Sequence, residues 1–298
     1  MKKLKKAYPL FLLLIFVIFT GLYINESIQK TDVEIKGYFQ IYFTALIIIV
    51  AMMSLIWLLS IYLKNVSIVD PFWGFVFVIT GIYYFLNTEH ITPRKIIALL
   101  LLTIWGLRLT SYLLIRNWHK PEDFRYQQFR KDFGAKRYWW FSFFQVFLLQ
   151  GILLWIISVP ILSIHYFSTE KELNFIDYMA IVTWIIGFIF EVFGDYQLMK
   201  FKSKPENKGK LLTTGLWKYT RHPNYFGDAA IWWSFGLFCI AAESYVPLIG
   251  CLVMTLLLLK VSGVSLLEQT LKKTKPGYQN YIDKTSSFFP WFPKKIIK

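Results

Sequence analysis

Hydrophobic residues occupy most of this chain in long runs that short polar segments separate. A helix that crosses a lipid hydrocarbon core needs roughly 17 to 25 mostly apolar residues. Runs of about that length lie at 8–24, 38–62, 67–86, 96–116, 139–163 and 178–199. Two shorter runs, at 226–241 and 245–264, predict two further helices. The pattern predicts an all-α, polytopic transmembrane helical bundle of about eight spans.

Composition agrees with a membrane location. Of the 298 residues, 56% are hydrophobic and only 17% are charged, whereas about a quarter of a soluble domain is charged. The mean hydropathy is +0.45. The sequence shows no repeat and no hydrophilic stretch that would form a separate soluble domain, so 1–298 is predicted to be a single membrane domain.

The basic residues predict the orientation, because cytoplasmic loops of membrane proteins are enriched in Lys and Arg. With the N-terminus inside, the cytoplasmic segments hold 27 of the 33 basic residues. The outer loops hold only Lys30, Lys36, Arg94, Lys95 and Lys171. Both termini are therefore expected to be cytoplasmic.

Charge, cysteines and motifs exclude several other classes. The net charge of +15 falls in the loops that the orientation rule would fill, so no nucleic-acid partner is expected. Cys239 and Cys251 both lie inside apolar runs, which argues against a disulfide framework. No spacing of the HExxH type predicts a metal site. No GxGxxG segment predicts a Rossmann domain.

Ionisable residues inside or at the ends of the predicted spans are functional candidates, because each costs about 2.5 to 3.5 kcal/mol in lipid. A structural role, at a helix end or in an ion pair between helices, is the alternative for any one of them. All of them fall in the cytoplasmic half, which favours a shared site. They are Asp70, Arg108, Glu191, Asp195, Asp228 and Glu268.

The carboxylates among these residues would repel one another unless cations lie between them. Arg108, Lys200 and Lys202 can supply positive charge. Carboxylates accept hydrogen bonds from ribose hydroxyls, and Lys and Arg bind phosphates. This combination predicts a polar, anionic cofactor on the cytoplasmic side and a lipophilic small-molecule substrate that arrives from the bilayer.

Two segments carry a family resemblance. The first begins Gly194-Asp195-Tyr196-Gln197-Leu198, and the second runs from Gly215-Leu216-Trp217 to Pro223-Asn224-Tyr225-Phe226-Gly227-Asp228. Their order resembles the steroid 5-alpha-reductase family, within the wider group of membrane sterol reductases and isoprenylcysteine carboxyl methyltransferases, and most closely its uncharacterised bacterial branch. The resemblance covers about 65–293, so 1–64 lies largely outside it.

The resemblance implies a nicotinamide dinucleotide pocket, with NADPH as the cofactor. The residues that it places in cofactor binding are Glu191, Asp195, Lys202, Arg221, His222, Asn224, Tyr225, Asp228 and Glu268. His222 could bind a phosphate or orient Asn224, and it could equally cap the turn that Pro223 creates.

The resemblance also places Asp70 and Arg108 in catalysis. Trp105 stands where the family uses a tyrosine as general acid, and an indole N–H can donate a hydrogen bond but has no proton to give away. Asp70, protonated in an apolar site, or Tyr112 would then be the acid.

The expected function is a membrane-embedded, NADPH-dependent reductase of a carbon-carbon double bond in a lipophilic enone, steroid-like or isoprenoid. The expected location is the bacterial inner membrane, with the active site facing the cytoplasm. A methyltransferase of the isoprenylcysteine carboxyl type that uses S-adenosylmethionine is the second hypothesis, because that branch also carries an RHPxY element. A non-catalytic lipid-binding membrane protein is the third.

Overall fold

The computed structural model of the protein describes residues 32–118, 120–169, 172–261 and 263–294. Across these ranges the chain forms helices and turns but no strand, which confirms the all-α prediction for this part. The helices are α1 Asp32–Leu63, α2 Val69–Leu86, α3 Pro93–Asn117, α4 Phe124–Phe133, α5 Tyr138–Phe167, α6 Phe175–Lys202, α7 Pro223–Ala241, α8 Leu248–Val261, α9 Val264–Thr274 and α10 Tyr278–Lys284.

Five of these helices are long and apolar enough to cross a membrane. They lie at Lys36–Leu63, Val66–Leu86, Pro93–Asn117, Tyr138–Phe167 and Phe175–Lys202. Each coincides with a predicted span, so the protein has the character of an integral membrane protein. Helices α7 and α8 lie where two shorter spans are predicted, and the span predicted at 8–24 is outside the described residues. The total of about eight and the orientation stay predictions.

The chain divides into two compact units. Unit 1 comprises the chain up to Leu173 together with Ala242–Gly250, and unit 2 comprises Asn174–Ala241 and Cys251–Lys298. Unit 1 therefore contains α1 to α5, and unit 2 contains α6, α7, most of α8 and the C-terminal helices. The prediction of one membrane domain stays a prediction.

In unit 1, helices α2 and α3 pack closely because two glycines face each other. A Cβ atom added at Gly74 would lie 2.2 Å from the carbonyl oxygen of Gly106, and one at Gly106 would lie 2.6 Å from that of Gly74. Small residues allow this approach of two backbones, as is typical of helix packing in membranes. Thr92 caps α3 with its side chain, and Pro93 occupies the first turn.

In unit 2, helices α6 and α7 pack against each other in the same way. A Cβ atom added at Gly227 would lie 2.5 Å from both the backbone nitrogen of Glu191 and the carbonyl oxygen of Gly187. Asn174 and Asp177 form a capping box at the start of α6. The close approach holds the polar residues of α6 beside those at the start of α7.

Candidate functional site

Asp195 and Asn224 form the centre of the polar cluster in unit 2. The Asn224 side-chain amide donates a hydrogen bond to Asp195 Oδ1 at 3.1 Å. Asp195 lies near the end of α6 and is only 4% exposed, whereas Asn224 at the start of α7 is half-buried. Two residues 29 positions apart are thus brought together, as the family resemblance implies.

Two further motif residues, Leu216 and Trp217, lie in the segment that connects α6 to α7. The short helix Gly215–Lys218 docks on α6, because Leu216 donates its backbone N–H to Gln197 Oε1 at 3.0 Å. The Trp217 indole donates to the carbonyl oxygen of Gly194 at 3.1 Å. These two hydrogen bonds hold residues 215–218 against α6, next to the Asp195–Asn224 pair.

Glu191 and Asp228 extend the cluster by one helical turn on each helix. Glu191 precedes Asp195 by four residues on α6, and Asp228 follows Asn224 by four residues on α7, so each pair shares a helix face. Glu191 is 3% exposed and Asp228 is half-buried. The two helices together present acceptor groups along their close contact.

The lysine-rich turn, residues 200–210, comprises the end of α6 and the residues that follow it. Its exposed lysines are Lys200, Lys202, Lys204, Lys208 and Lys210. The turn is closed by Asn207, whose side-chain amide donates to the carbonyl oxygen of Phe201 at 2.9 Å. The predicted cofactor residue Lys202 thus belongs to a group of solvent-accessible cations that directly follows the carboxylates of α6.

The Arg221 guanidinium binds groups of the protein itself, which distinguishes Arg221 from a residue that would bind a phosphate. Its Nε and Nη2 donate to Glu268 Oε1 at 2.8 and 2.6 Å, and Nη1 donates to the carbonyl oxygens of Ile282 and Thr285. The side chain is 7% exposed. We interpret Arg221 as a clamp that holds the segment after α10 against the loop before α7.

Backbone contacts support the clamp. The Arg221 N–H donates to the carbonyl oxygen of Ser286 at 2.9 Å, the Thr220 hydroxyl donates to that of Phe288 at 2.8 Å, and the Trp291 N–H donates to that of Tyr219 at 2.9 Å. We call residues 285–294 the C-terminal tail. The loop that precedes Asn224 therefore binds the tail at Ser286, Phe288 and Trp291.

His222 lies between the clamp and the polar cluster. Its ring stacks on Tyr225, with 5.7 Å between the centroids and 8° between the planes. Its Nε2 lies 3.4 Å from Glu268 Oε1. His222 and Glu268, both predicted cofactor residues, therefore contact each other and Arg221, and Tyr225 packs beside them.

The electrostatics of Glu268 predict an acid-sensitive contribution to stability. Burial alone would raise the pKa of Glu268, but contacts with His222 and Arg221 outweigh burial and lower the pKa. A carboxylate with a lowered folded pKa stabilises the fold fully above its ordinary pKa of about 4.3 and loses this contribution as pH falls through the folded value.

We therefore expect the melting temperature of the wild type to fall more steeply on acidification below about pH 5 than that of Glu268→Gln, which has no titrating group there. The measurement is thermal unfolding in detergent across the acid range. Parallel curves for the two proteins would contradict a charged Glu268 in the clamp.

Asp70 is the centre of a second polar cluster, in unit 1. Its Oδ1 accepts a hydrogen bond from the Tyr126 hydroxyl at 2.9 Å, and its Oδ2 lies 3.4 Å from Arg125 Nη2. Arg125 and Tyr126 belong to α4, which begins after the Asp123 cap. Asp123 is itself fixed, because its N–H donates to the Ser67 hydroxyl at 2.6 Å.

Arg108 and Tyr112, the other predicted catalytic residues, lie four residues apart on α3. The Arg108 guanidinium lies over the Tyr112 ring at 5.0 Å from the centroid, and Arg116 lies over the same ring at 5.5 Å. Such cation-π contacts stabilise the charges on one helix face. Arg108 and Tyr112 thus contact each other, whereas the hydrogen bonds described for Asp70 lead to α4.

Trp105 lies in the core of unit 1. It is 1% exposed, and its ring packs 5.8 Å from that of Phe77 on α2. This position gives it a packing role between α2 and α3.

The comparisons with known proteins identify a family for this chain. A family model described as a protein of unknown function, DUF1295, matches residues 56–285. The chain belongs to the DUF1295 family. An uncharacterised protein of the fission yeast Schizosaccharomyces pombe is 26% identical over 261 residues, which cover 80% of this chain and 76% of the yeast protein. No solved structure matches the chain.

Sequence reasoning missed the partners of Asp70 in this DUF1295 protein. Tyr126 is 5% exposed in a segment that otherwise looks like a surface helix, Phe-Arg-Tyr-Gln-Gln-Phe-Arg-Lys-Asp-Phe. Gln150 contacts Tyr126 from α5. A glutamine inside a long apolar run was a usable signal, because a polar side chain in a span normally faces a polar partner.

Proposed function

We propose that this protein is an NADPH-dependent reductase of a carbon-carbon double bond in a lipophilic enone, steroid-like or isoprenoid. The observation that carries the proposal is the Asp195–Asn224 hydrogen bond at the close contact of α6 and α7, directly before the lysine-rich turn. It joins the two segments that resemble the steroid 5-alpha-reductase family.

The chemistry of the donor set fits a nicotinamide dinucleotide. Carboxylates at Glu191, Asp195 and Asp228 can accept hydrogen bonds from ribose hydroxyls, and the Asn224 amide can pair with an amide group. Lys202 and its exposed neighbours can neutralise phosphates. Arg221 and Glu268 would act indirectly, because their side chains bind each other and the C-terminal tail.

The proposed catalytic residues lie in unit 1. NADPH, when bound, supplies the hydride that reduces the double bond. Asp70 is proposed to donate a proton at the substrate carbonyl oxygen, which is the electrophilic help that enone reduction needs. Tyr112 is the alternative acid, and Arg108, whose guanidinium lies over the Tyr112 ring, is proposed as the third catalytic residue.

The substrate is proposed to enter from the bilayer, because the helices that carry these residues are apolar enough to span a membrane. The proposed location is the bacterial inner membrane, with the site on the cytoplasmic side. The division of Lys and Arg between loops supports this orientation.

We expect NADPH to raise the melting temperature of the purified protein, because a ligand that binds only the folded state stabilises it by mass action. Asp195→Ala and Asn224→Ala should each weaken NADPH binding by about 1.5 to 3 kcal/mol, the range for hydrogen bonds that involve a charged group. Titration calorimetry in detergent measures the affinities.

Asp283→Ala is the matched control, because this carboxylate belongs to unit 2 but is exposed on α10. It should bind NADPH like the wild type. If S-adenosylmethionine raises the melting temperature and NADPH does not, the methyltransferase takes the place of the reductase. If neither binds, the lipid-binding alternative is favoured.

A further inference from the structure

A chain of hydrogen bonds with a defined direction leads to Asp70. It begins at Trp73 on α2, whose indole nitrogen donates to Gln150 Oε1 at 2.6 Å. An indole N–H can only donate. The Gln150 amide must therefore turn its oxygen to Trp73, which leaves its nitrogen on the opposite side.

The second link fixes the Tyr126 hydroxyl. Gln150 Nε2 donates to Tyr126 Oη at 3.3 Å. With this donor in place, the Tyr126 proton points away from Gln150, and its hydroxyl donates to Asp70 Oδ1 at 2.9 Å. Because the Trp73 indole can only donate, the direction of each hydrogen bond in this chain is fixed.

The two oxygens of Asp70 are consequently different. Oδ1 accepts from Tyr126, so it is the carbonyl-type oxygen whenever the carboxyl group is protonated. Oδ2 also accepts a hydrogen bond, from Arg125 Nη2, but this bond is longer, at 3.4 Å, so Oδ2 is the less strongly engaged oxygen. Arg125 is engaged more closely by Asp123, with Nε at 2.9 Å from Oδ1 and Nη2 at 3.3 Å from Oδ2.

Arg125 and Asp123 largely balance each other's charge. The contacts with Arg125 outweigh burial and lower the pKa of Asp123. The Asp70 side chain is 23% exposed, whereas Tyr126 behind it is 5% exposed. Oδ2 accepts the weaker of the two hydrogen bonds, so it is the oxygen that takes the proton when Asp70 is protonated.

We propose that Trp73, Gln150 and Tyr126 are positioning residues that place the exchangeable proton of Asp70 on Oδ2. After hydride addition at the β carbon, the substrate carries an enolate oxygen. The Oδ2–H bond breaks and an O–H bond forms on the substrate, which leaves an Asp70 carboxylate that Tyr126 stabilises. A solvent proton then adds at the α carbon and the enol O–H proton returns to the Asp70 carboxylate, so the net proton consumed comes from solvent.

The transfer to substrate rests on the proposed function, but the position of the proton on Asp70 does not. Infrared spectroscopy of the full-length protein in detergent can measure that position directly. Spectra at acid pH minus spectra at neutral pH should contain a C=O stretching band of a protonated carboxyl group that is absent from Asp70→Asn.

In Tyr126→Phe this band should shift to higher wavenumber, because the carbonyl oxygen loses its hydrogen bond. Gln150→Leu should give a smaller shift in the same direction. Tyr84→Phe is the matched control, because it removes another buried hydroxyl of unit 1, one that hydrogen-bonds to Ser158 at 2.8 Å. Its band should equal that of the wild type.

Turnover of a model enone provides the second readout. Tyr126→Phe should lower kcat by about 10-fold to 100-fold, within the contribution of a general acid, and leave KM for NADPH unchanged. Gln150→Leu acts through Tyr126, so adding it to Tyr126→Phe should cause no further loss. Independent, multiplicative losses would overturn the directional chain.

The infrared results test the position of the Asp70 proton independently of the proposed reductase activity. An Asp70 band at the same wavenumber in the wild type and Tyr126→Phe, or no Asp70 band at all, overturns the inference. A shifted band in a protein that neither binds NADPH nor reduces enones supports the proton position and refutes the proposed function.

Discussion

Arg221→Met should release the C-terminal tail and destabilise unit 2 by about 3 to 5 kcal/mol, the cost of leaving one partner of a buried ion pair alone. The mutation removes the donors to Glu268 and to the carbonyl oxygens of Ile282 and Thr285. The tail carries Phe289, Trp291 and Phe292, all of them exposed. Proline follows Phe289 and Phe292, which blocks chymotrypsin there, so limited digestion should cut the tail of the variant after Phe288 and Trp291 much faster than that of the wild type.

Lys272→Met is the matched control for this prediction, because it removes an exposed cation from α9, the helix that carries Glu268. Its digestion should follow that of the wild type. A variant Arg221→Met that keeps a protected tail but loses NADPH affinity would reverse our interpretation. Arg221 would then be a cofactor-binding residue, as the sequence predicts.

Gly227→Val should be the most disruptive single substitution at the contact between α6 and α7. Even the first carbon of the new side chain would lie 2.5 Å from backbone atoms of Gly187 and Glu191. Backbone atoms cannot rotate away, so the helices must separate. We expect a destabilisation at or above the upper end of the usual overpacking range of about 1 to 3 kcal/mol, measured by thermal unfolding.

Separation of α6 from α7 should also weaken the Asp195–Asn224 contact and with it NADPH binding. Gly151→Ala, in the apolar helix α5, is the control, because the atoms nearest its Cβ would be side-chain atoms of Met53 and Ile49, at 3.3 and 3.5 Å, and not backbone atoms. It should unfold near the wild-type temperature. Equal behaviour of the two variants would show that the close approach at Gly227 is not tight in solution.

The C-terminal tail also contacts the residues that precede α7. A tail that runs back along 219–221 satisfies backbone groups just before α7 begins, and this fixes the chain's entry into the helix that carries Asn224. Arg221 and Glu268 can therefore matter for ligand binding without touching a ligand. Variants at either position should be tested for tail protection before a binding role is assigned.

The sequence by itself determined the helical class and the positions of five helices that are long and apolar enough to cross a membrane. Lipid leaves no partner for an unpaired backbone N–H or C=O, so an apolar run of sufficient length must be helical. Hydrophobicity along the chain is therefore enough to locate the helices at Lys36–Leu63 and the four other long spans. The family resemblance also indicated, from motif order, that Asp195 and Asn224 belong to one site.

Only the tertiary structure decided which polar groups bind to each other. Arg221 and Asn224 are three residues apart in one motif, yet Arg221 binds Glu268 and the C-terminal tail, whereas Asn224 binds Asp195. Tyr126 reaches Asp70 across 56 positions of sequence. Local hydrophobicity carries no information on such pairs, because the hydrogen bond that a buried polar group forms depends on which helices pack together and on the direction of each donor.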